Sequence, residues 1–280
     1  MDVGLLHPGE MGAAVGRCLC EAGHKVLWAS AGRGEATATR ARDAGLTDAG
    51  SVAAISARVP IVLSICPPHA ALDIAREVAG CGFRGLFVDA NAIAPATARS
   101  VGAVIVDAGG TFADGGIIGP PPVPASPGHT RLYLSGDQAA TIGGLFTGTA
   151  VDARTMPGDA GAASAVKMSY AAWTKGTAAL LLAIRALARA EGVEDALLAE
   201  WALSQPSLPA RSEQAARSAA AKGWRWIAEM DEIAASMAAD DLPGGFHQAA
   251  ADIYRRSATS VRPDLDTVLA ALPHRAARHG

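Results

Sequence analysis

Apolar positions in the first half of the chain fall in short runs with almost no charge inside them, separated by stretches of helical period. Residues 3–6, the run ending at Ser30, and residues 59–65, 86–90, 103–107 and 131–135 read as strands. Most are apolar on both faces, as a sheet covered on two sides requires. Residues 13–21, 36–44, the short 51–57 and 72–78 read as helices between them. Such alternation predicts an α/β architecture, a parallel doubly wound sheet. Residues 112–122 carry glycines followed by three prolines and are expected to form a stiff irregular loop. From Ala160 the pattern turns helical throughout: 161–190, 194–203, 212–221, 224–237, 246–255 and 265–272 all show it. In the helix at 224–237 the period puts Trp226, Met230, Ile233 and Met237 on the inner side and leaves Glu229 off it. Two domains follow, an α/β domain over 1–156 and an all-α domain over 157–280. The tail after Arg275 is expected to fray.

The opening stretch adds chemistry to this outline. A strand ends at Leu6, the turn His7-Pro8-Gly9-Glu10-Met11-Gly12 follows, and a helix begins. Unpaired N–H groups at a helix start carry partial positive charge, and glycine lets a pyrophosphate approach them. The turn therefore reads as the phosphate cradle of a Rossmann-type dinucleotide-binding domain. Its Gly9 and Gly12 match the second and third glycines of the G-x-G-x-x-G fingerprint, and His7 stands at the first. An acid at the end of the second strand would hold the ribose 2′-hydroxyl of NAD, whereas a small polar residue with a nearby arginine suits the 2′-phosphate of NADP. Here the strand ends at Ser30, with Arg33 close behind it, so NADP is favoured over NAD.

Composition narrows the setting. Half of the residues are hydrophobic and 18% are charged, which excludes a disordered chain, and the net charge of −3 gives no reason to expect nucleic acid. No apolar segment reaches the roughly 18 residues of a membrane helix. No basic region precedes the first strand, so a secretory signal is not expected. The four cysteines, Cys18, Cys20, Cys66 and Cys81, lack ligand spacing and are expected to be reduced and structural in a cytoplasmic protein without a bound metal.

Polar residues at the carboxyl ends of parallel strands lie on the ligand side of such a sheet. Ser30, Ser64, Asn91 and Asp114 occupy that edge. Asn91 reads either as a helix N-cap or as a hydrogen-bond partner of nicotinamide or substrate. In the long helix beginning near Gly161, Lys167, Tyr170 and Thr174 fall at i, i+3 and i+7 on one face. Trp201, Trp224 and Trp226 are expected to serve as core or subunit contacts rather than as a ligand cage.

With these pieces placed, the chain resembles the β-hydroxyacid dehydrogenase superfamily, which includes 3-hydroxyisobutyrate and 6-phosphogluconate dehydrogenases. The markers are the H-P-G-E-M-G turn, Leu63-Ser64 running to Pro67, V-D-A-N-A-I-A-P at 88–95, D-G-G-I-I-G at 114–119, and Gly161 followed by Lys167. The A-W-T-K-G and G-W-R-W-I-A-E-M-D-E-I segments further resemble a bacterial phosphogluconate-dehydrogenase-like subgroup. The resemblance implies a homodimer packed through the helical domain, acting on a small-molecule substrate with Lys167 as general acid/base. Tyr170 stands beside Ala171, which takes the place of the family's substrate-fixing asparagine. The family's substrate-binding serine aligns with Ile118, next to Gly119. By this reading His7, Pro8, Gly9, Glu10, Met11, Gly12, Ser30, Arg33, Cys66, Pro67 and Asn91 contact the cofactor. Asp114, Gly115, Gly116, Ile118, Gly119 and Thr174 line the substrate pocket, and Lys167, Tyr170 and Asn91 carry the chemistry. Two alternatives stand beside an NADP-dependent carbonyl/hydroxyl oxidoreductase: an imine reductase and a non-catalytic NADP-binding sensor. The imine alternative must place an ammonium near an iminium, which costs on the order of 4 kcal/mol at 4 Å and an effective dielectric of 20.

Overall fold

The computed structural model describes residues 1–124, 127–257 and 264–273. It divides into two compact units, Met1–Met168 and Ser169–Gly280.

The first unit is built on one eight-stranded sheet in the order β3-β2-β1-β4-β5-β6-β7-β8. The strands are β1 (Asp2–Leu6), β2 (Lys25–Trp28), β3 (Thr47–Asp48), β4 (Ile61–Ser64), β5 (Leu86–Asp89), β6 (Thr111–Ile118), β7 (Thr130–Ser135) and β8 (Val151–Thr155). All neighbouring pairs are parallel except β6 and β7, which run antiparallel. Consecutive residues feed opposite faces of the sheet, so Leu5, Leu63 and Val88 join one core while Leu6, Val62 and Phe87 join the other. Helices α1 (Glu10–Glu21), α2 (Glu35–Asp43) and α6 (Ala139–Leu145) cover the first face. Helices α3 (Val52–Ser56), α4 (Ala71–Gly80) and α5 (Pro95–Asp107) cover the second. Strand order reverses between β1 and β4, and the β1–α1 turn opens at that switch point, where ligands of open α/β sheets bind.

Several expectations are corrected here. Residues 103–107 are not a strand but the last turns of α5. Pro95 starts that helix, and Ala98, Val101, Gly102 and Ile105 form its buried stripe, so the β-branched run V-I-V is overridden by packing. Residues 112–118 are not an irregular loop but most of β6. Its glycines mark close approaches of other backbone: a Cβ on Gly115 would lie 2.8 Å from the carbonyl of Asp89, and one on Gly116 would lie 2.6 Å from that of Ala163.

In the second unit, α7 (Ala162–Ala190), whose first two turns belong to the first unit, is followed by α8 (Glu194–Ser204), α9 (Leu208–Ala239), α10 (Gly245–Ser257) and α11 (Leu265–Ala271). The two helices expected over 212–237 are one, because Gly223 is buried against Tyr254 and does not break the run. Glu229 is not on a solvated face. It is 4% exposed and paired with Lys175, which also lies 5.5 Å from the ring of Trp226. Tyr254 donates to the Lys175 carbonyl at 2.6 Å and packs edge-on against Trp226 at 5.1 Å. Trp201 is buried, Trp226 is half-buried and Trp224 is exposed. The tail after Arg275 lies outside the described residues.

Candidate active site

The β1–α1 turn is tight. Gly9 N–H donates to the His7 carbonyl at 2.7 Å around Pro8, and His7 adopts φ 64°, a left-handed conformation usually left to glycine. The fingerprint's first glycine is therefore absent as a residue, while the left-handed backbone that glycine favours is present. Gly12 is needed for space, since a Cβ there would stand 2.5 Å from the His7 carbonyl oxygen. Gly9 is different. It starts α1 without a side-chain cap, and the space its Cβ would fill is open for at least 4 Å. An uncapped helix start behind an open glycine suits an anion. Met11 packs against the core and Glu10 is exposed. Arg40 of α2, which the sequence reading passed over, donates from Nε to the Pro8 carbonyl at 3.4 Å and from Nη2 to Thr37 Oγ1 at 3.0 Å. It braces the turn from the neighbouring helix.

Past the end of β2, Arg33 N–H donates to the Ser30 carbonyl at 3.0 Å, and its side chain is exposed. No acid lies between Trp28 and Glu35. Burial, and then the charge of Arg33, push the His7 imidazole down to about 4.

At the ends of β4 and β5 a buried polar network forms. Asn91 does not cap a helix: α5 is capped at Ala94, with Pro95 in its first turn. Instead its Oδ1 accepts from Cys66 N–H at 2.5 Å, and its Nδ2 donates to Asp89 Oδ2 at 2.7 Å and Ser64 Oγ at 3.4 Å. Its backbone N–H donates to Asp89 Oδ1 at 2.9 Å. Asn91 thus ties the Cys66-Pro67 backbone to the sheet. Burial, and then the carboxylate of Asp89, push the Cys66 thiol up to about 12. Asp89 was legible only as the one charged residue closing an apolar strand.

Asp114, in the body of β6, is fully buried. Its Oδ2 accepts from the N–H groups of Gly161 and Ser164, each at 2.9 Å, and from Ser135 Oγ at 3.3 Å; its Oδ1 accepts from Ser164 Oγ at 2.6 Å. As placed, the carboxylate caps α7 from across the sheet. Lys167 follows one turn later, and a Cβ on Gly116 would stand 2.9 Å from its Cβ, so the strand glycine lets the lysine stem lie directly on β6. Ile118 is 3% exposed, one of the buried hydrophobic residues. Gly119 has φ 119° and is held by a turn in which a Cβ would meet the His129 carbonyl at 2.1 Å. Both therefore serve packing where they stand. In the second unit Tyr170 is 47% exposed, and Thr174 Oγ1 donates back to the Tyr170 carbonyl at 3.0 Å. Ser164, missed in the sequence, was signalled only by its place three residues before Lys167.

All four cysteines are free. Among the described residues no group of three His, Cys, Asp or Glu is arranged to hold a metal ion, and no helix is long and apolar enough to cross a membrane.

Residues 188–257 match a family model described as a domain of unknown function, DUF1932. No curated protein matches the chain. Among solved structures the chain is similar to MTH1747, a conserved protein of unknown function described as structurally similar to 3-hydroxyacid dehydrogenases. That match has 26% identity and a TM-score of 0.67, over 92% of this chain and 98% of that one. It is also similar to a Mycobacterium tuberculosis 3-hydroxyisobutyrate dehydrogenase bound to L-serine, with 19% identity and a TM-score of 0.69, over 97% of this chain and 98% of that one. A third is a reductive aminase from Aspergillus terreus in complex with NADPH and ethyl levulinate, with 19% identity and a TM-score of 0.58, over 97% of this chain and 99% of that one.

Proposed function

We propose that this chain, which belongs by its fold to the β-hydroxyacid dehydrogenase superfamily, is an NADP-dependent oxidoreductase that moves hydride between nicotinamide and a carbonyl/hydroxyl pair. The observation that carries the reading is the presence, in one compact unit, of an uncapped glycine turn at the switch point and a lysine stem seated on a strand glycine. The NADPH bound by the reductive aminase of the same fold supports the choice of coenzyme, as do Ser30 and Arg33 in place of an acid after β2. When bound, the coenzyme supplies or accepts the hydride. Gly9, Met11 and Gly12 would hold its pyrophosphate, and Ser30 and Arg33 its ribose end. Cys66 and Pro67, fixed by Asn91, would back the nicotinamide. Lys167 is the group that gives a proton to the carbonyl oxygen, or takes one from the hydroxyl in the reverse direction. A well-placed general acid is worth roughly 10²–10⁴-fold in rate. Tyr170 and Thr174, on the same face of α7, would contact substrate.

Substrate contacts and self-association are assigned to the helical region, 157–280. Exposed Trp173 (66%), Leu187 (63%) and Phe246 (67%) support packing of a second copy there. Light scattering then gives a dimer mass, and a monomer at micromolar concentration rules this out. Four free cysteines fit a reducing cytoplasm.

The decisive experiment is NADPH oxidation with panels of aldehydes, keto acids and cyclic imines, run on the native protein and on Lys167→Ala. We expect turnover with a carbonyl panel, and a loss of about 10²–10⁴-fold in Lys167→Ala at unchanged NADPH affinity. Unchanged turnover in the variant removes Lys167 from the mechanism, turnover confined to imines replaces the carbonyl reading, and binding without turnover on any panel makes the protein a sensor.

A further inference from the structure

A dinucleotide cradle does not require a histidine at the first position of its turn. His7 holds a left-handed backbone at φ 64°, a conformation that is strained for a side-chain-bearing residue and free of strain for glycine. Its Nδ1 is buried without a hydrogen-bond partner among the described residues. Strain and an orphaned polar atom at a ligand cradle point to a role that appears when the ligand is present.

Three charged side chains stand around the turn. Glu10 lies in the first turn of α1, Arg40 of α2 donates to the Pro8 carbonyl, and Arg33 follows β2. Of these, the guanidinium of Arg33 is the one whose charge bears on the ring, adding to burial to hold the imidazole neutral in the free protein. Phosphates arriving at this turn reverse that balance. They offset Arg33 and set negative charge on the turn that carries the ring.

Resting on the coenzyme reading above, we propose that His7 takes up one proton from solvent when the phosphates of NADP(H) settle on the turn, becoming an imidazolium that binds them. No covalent bond changes; the proton comes from the buffer and returns to it on release. An opposite charge within about 4–6 Å raises such a group by roughly 1–3 units, so coenzyme binding should tighten by about 10–1,000-fold from alkaline to acid pH through His7. The 2′-phosphate titrates near pH 6 on its own account, so the ring itself must be observed.

The test is ¹H–¹⁵N NMR of the histidine rings of the full chain between pH 5 and 8, free and saturated with NADP⁺. The His7 signal is assigned by its absence in His7→Asn, a variant that keeps a residue tolerant of positive φ. We expect the His7 ring, neutral throughout this range in the free protein, to titrate at about 6.5 in the complex, a rise of roughly 2.5 units. We also expect His7→Asn to bind NADP⁺ about tenfold more weakly than the native protein at pH 5.5 and equally well at pH 8. A bound complex in which the His7 ring does not move overturns the proposal and leaves the coenzyme reading standing, and so does a His7→Asn protein with native affinity at pH 5.5. If the native protein binds no NADP⁺, the coenzyme reading fails and this proposal with it.

Discussion

Replacing Asp114 by alanine removes the group that fixes the first turn of α7. The buried carboxylate accepts from Gly161 N–H and Ser164 N–H at 2.9 Å each. Ser135 Oγ already has the Asp159 carbonyl at 3.1 Å as a second acceptor, and the Ser164 hydroxyl can rotate, so the cost rests on the two backbone donors. Each buried N–H left without a partner costs about 1–3 kcal/mol, which gives roughly 2–6 kcal/mol for Asp114→Ala. Asparagine is gentler. With its carbonyl oxygen turned to the two N–H groups and its NH₂ to Ser164 Oγ, it keeps the bonds and loses only their charge assistance, about 1–2 kcal/mol. Urea unfolding at pH 7, followed by far-ultraviolet circular dichroism, measures both values. Turnover should fall in the same order, because Lys167 stands one turn beyond Ser164, while NADPH affinity at the β1–α1 turn stays within about twofold. An Asp114→Ala protein within 0.5 kcal/mol of the native one refutes the argument. So does an asparagine variant as damaged as the alanine.

Other consequences are quickly checked. Gly116→Ala forces a Cβ to within 2.6 Å of the Ala163 carbonyl, so it should cost about 1–3 kcal/mol and lower kcat with little change in NADPH binding; a native kcat contradicts this. His7 titrates at 6.5 when unfolded and at about 4 when folded, so between those values the unfolded chain holds the extra proton. Folding stability of the free protein should therefore drop as pH falls through that window, and His7→Asn should flatten this part of the curve, as urea midpoints at successive pH values will show. Cys81 is exposed, whereas burial raises Cys18, Cys20 and Cys66, so an aromatic disulfide reagent at pH 8 should titrate one thiol fast; two or more fast thiols would be contrary to the structure.

Much of this architecture was legible because burial writes itself into the sequence. Strands buried on both faces, such as Ile61–Ser64, appear as uncharged runs, and the helices of the second unit as long periodic ones. The misreadings share one cause, that non-local packing decided the local conformation. Val104-Ile105-Val106 looks like strand and is helix because Pro95 starts a turn and Ala98 and Val101 complete an apolar stripe. Gly115 and Gly116 look like loop and are strand because neighbouring backbone leaves no room for a side chain. At the site, the sequence marked Asn91, Asp114 and Lys167 as chemically interesting without showing that Asn91 and Asp114 brace the backbone. That bracing shows only once their donors and acceptors are placed. Asn91 and Asp114 have theirs engaged by the protein's own groups; Arg40 and Ser164 enter only through contacts distant in sequence, and Asp89 through Asn91 two residues on.

The most direct trial of the whole reading is a crystal of the full chain soaked with NADP⁺. Pyrophosphate density against the amides of residues 9–12, with the nicotinamide lying by Pro67 and turned toward the Lys167 ammonium, is the result expected. Density elsewhere on the protein, or a β1–α1 turn left empty at saturating coenzyme, would contradict it.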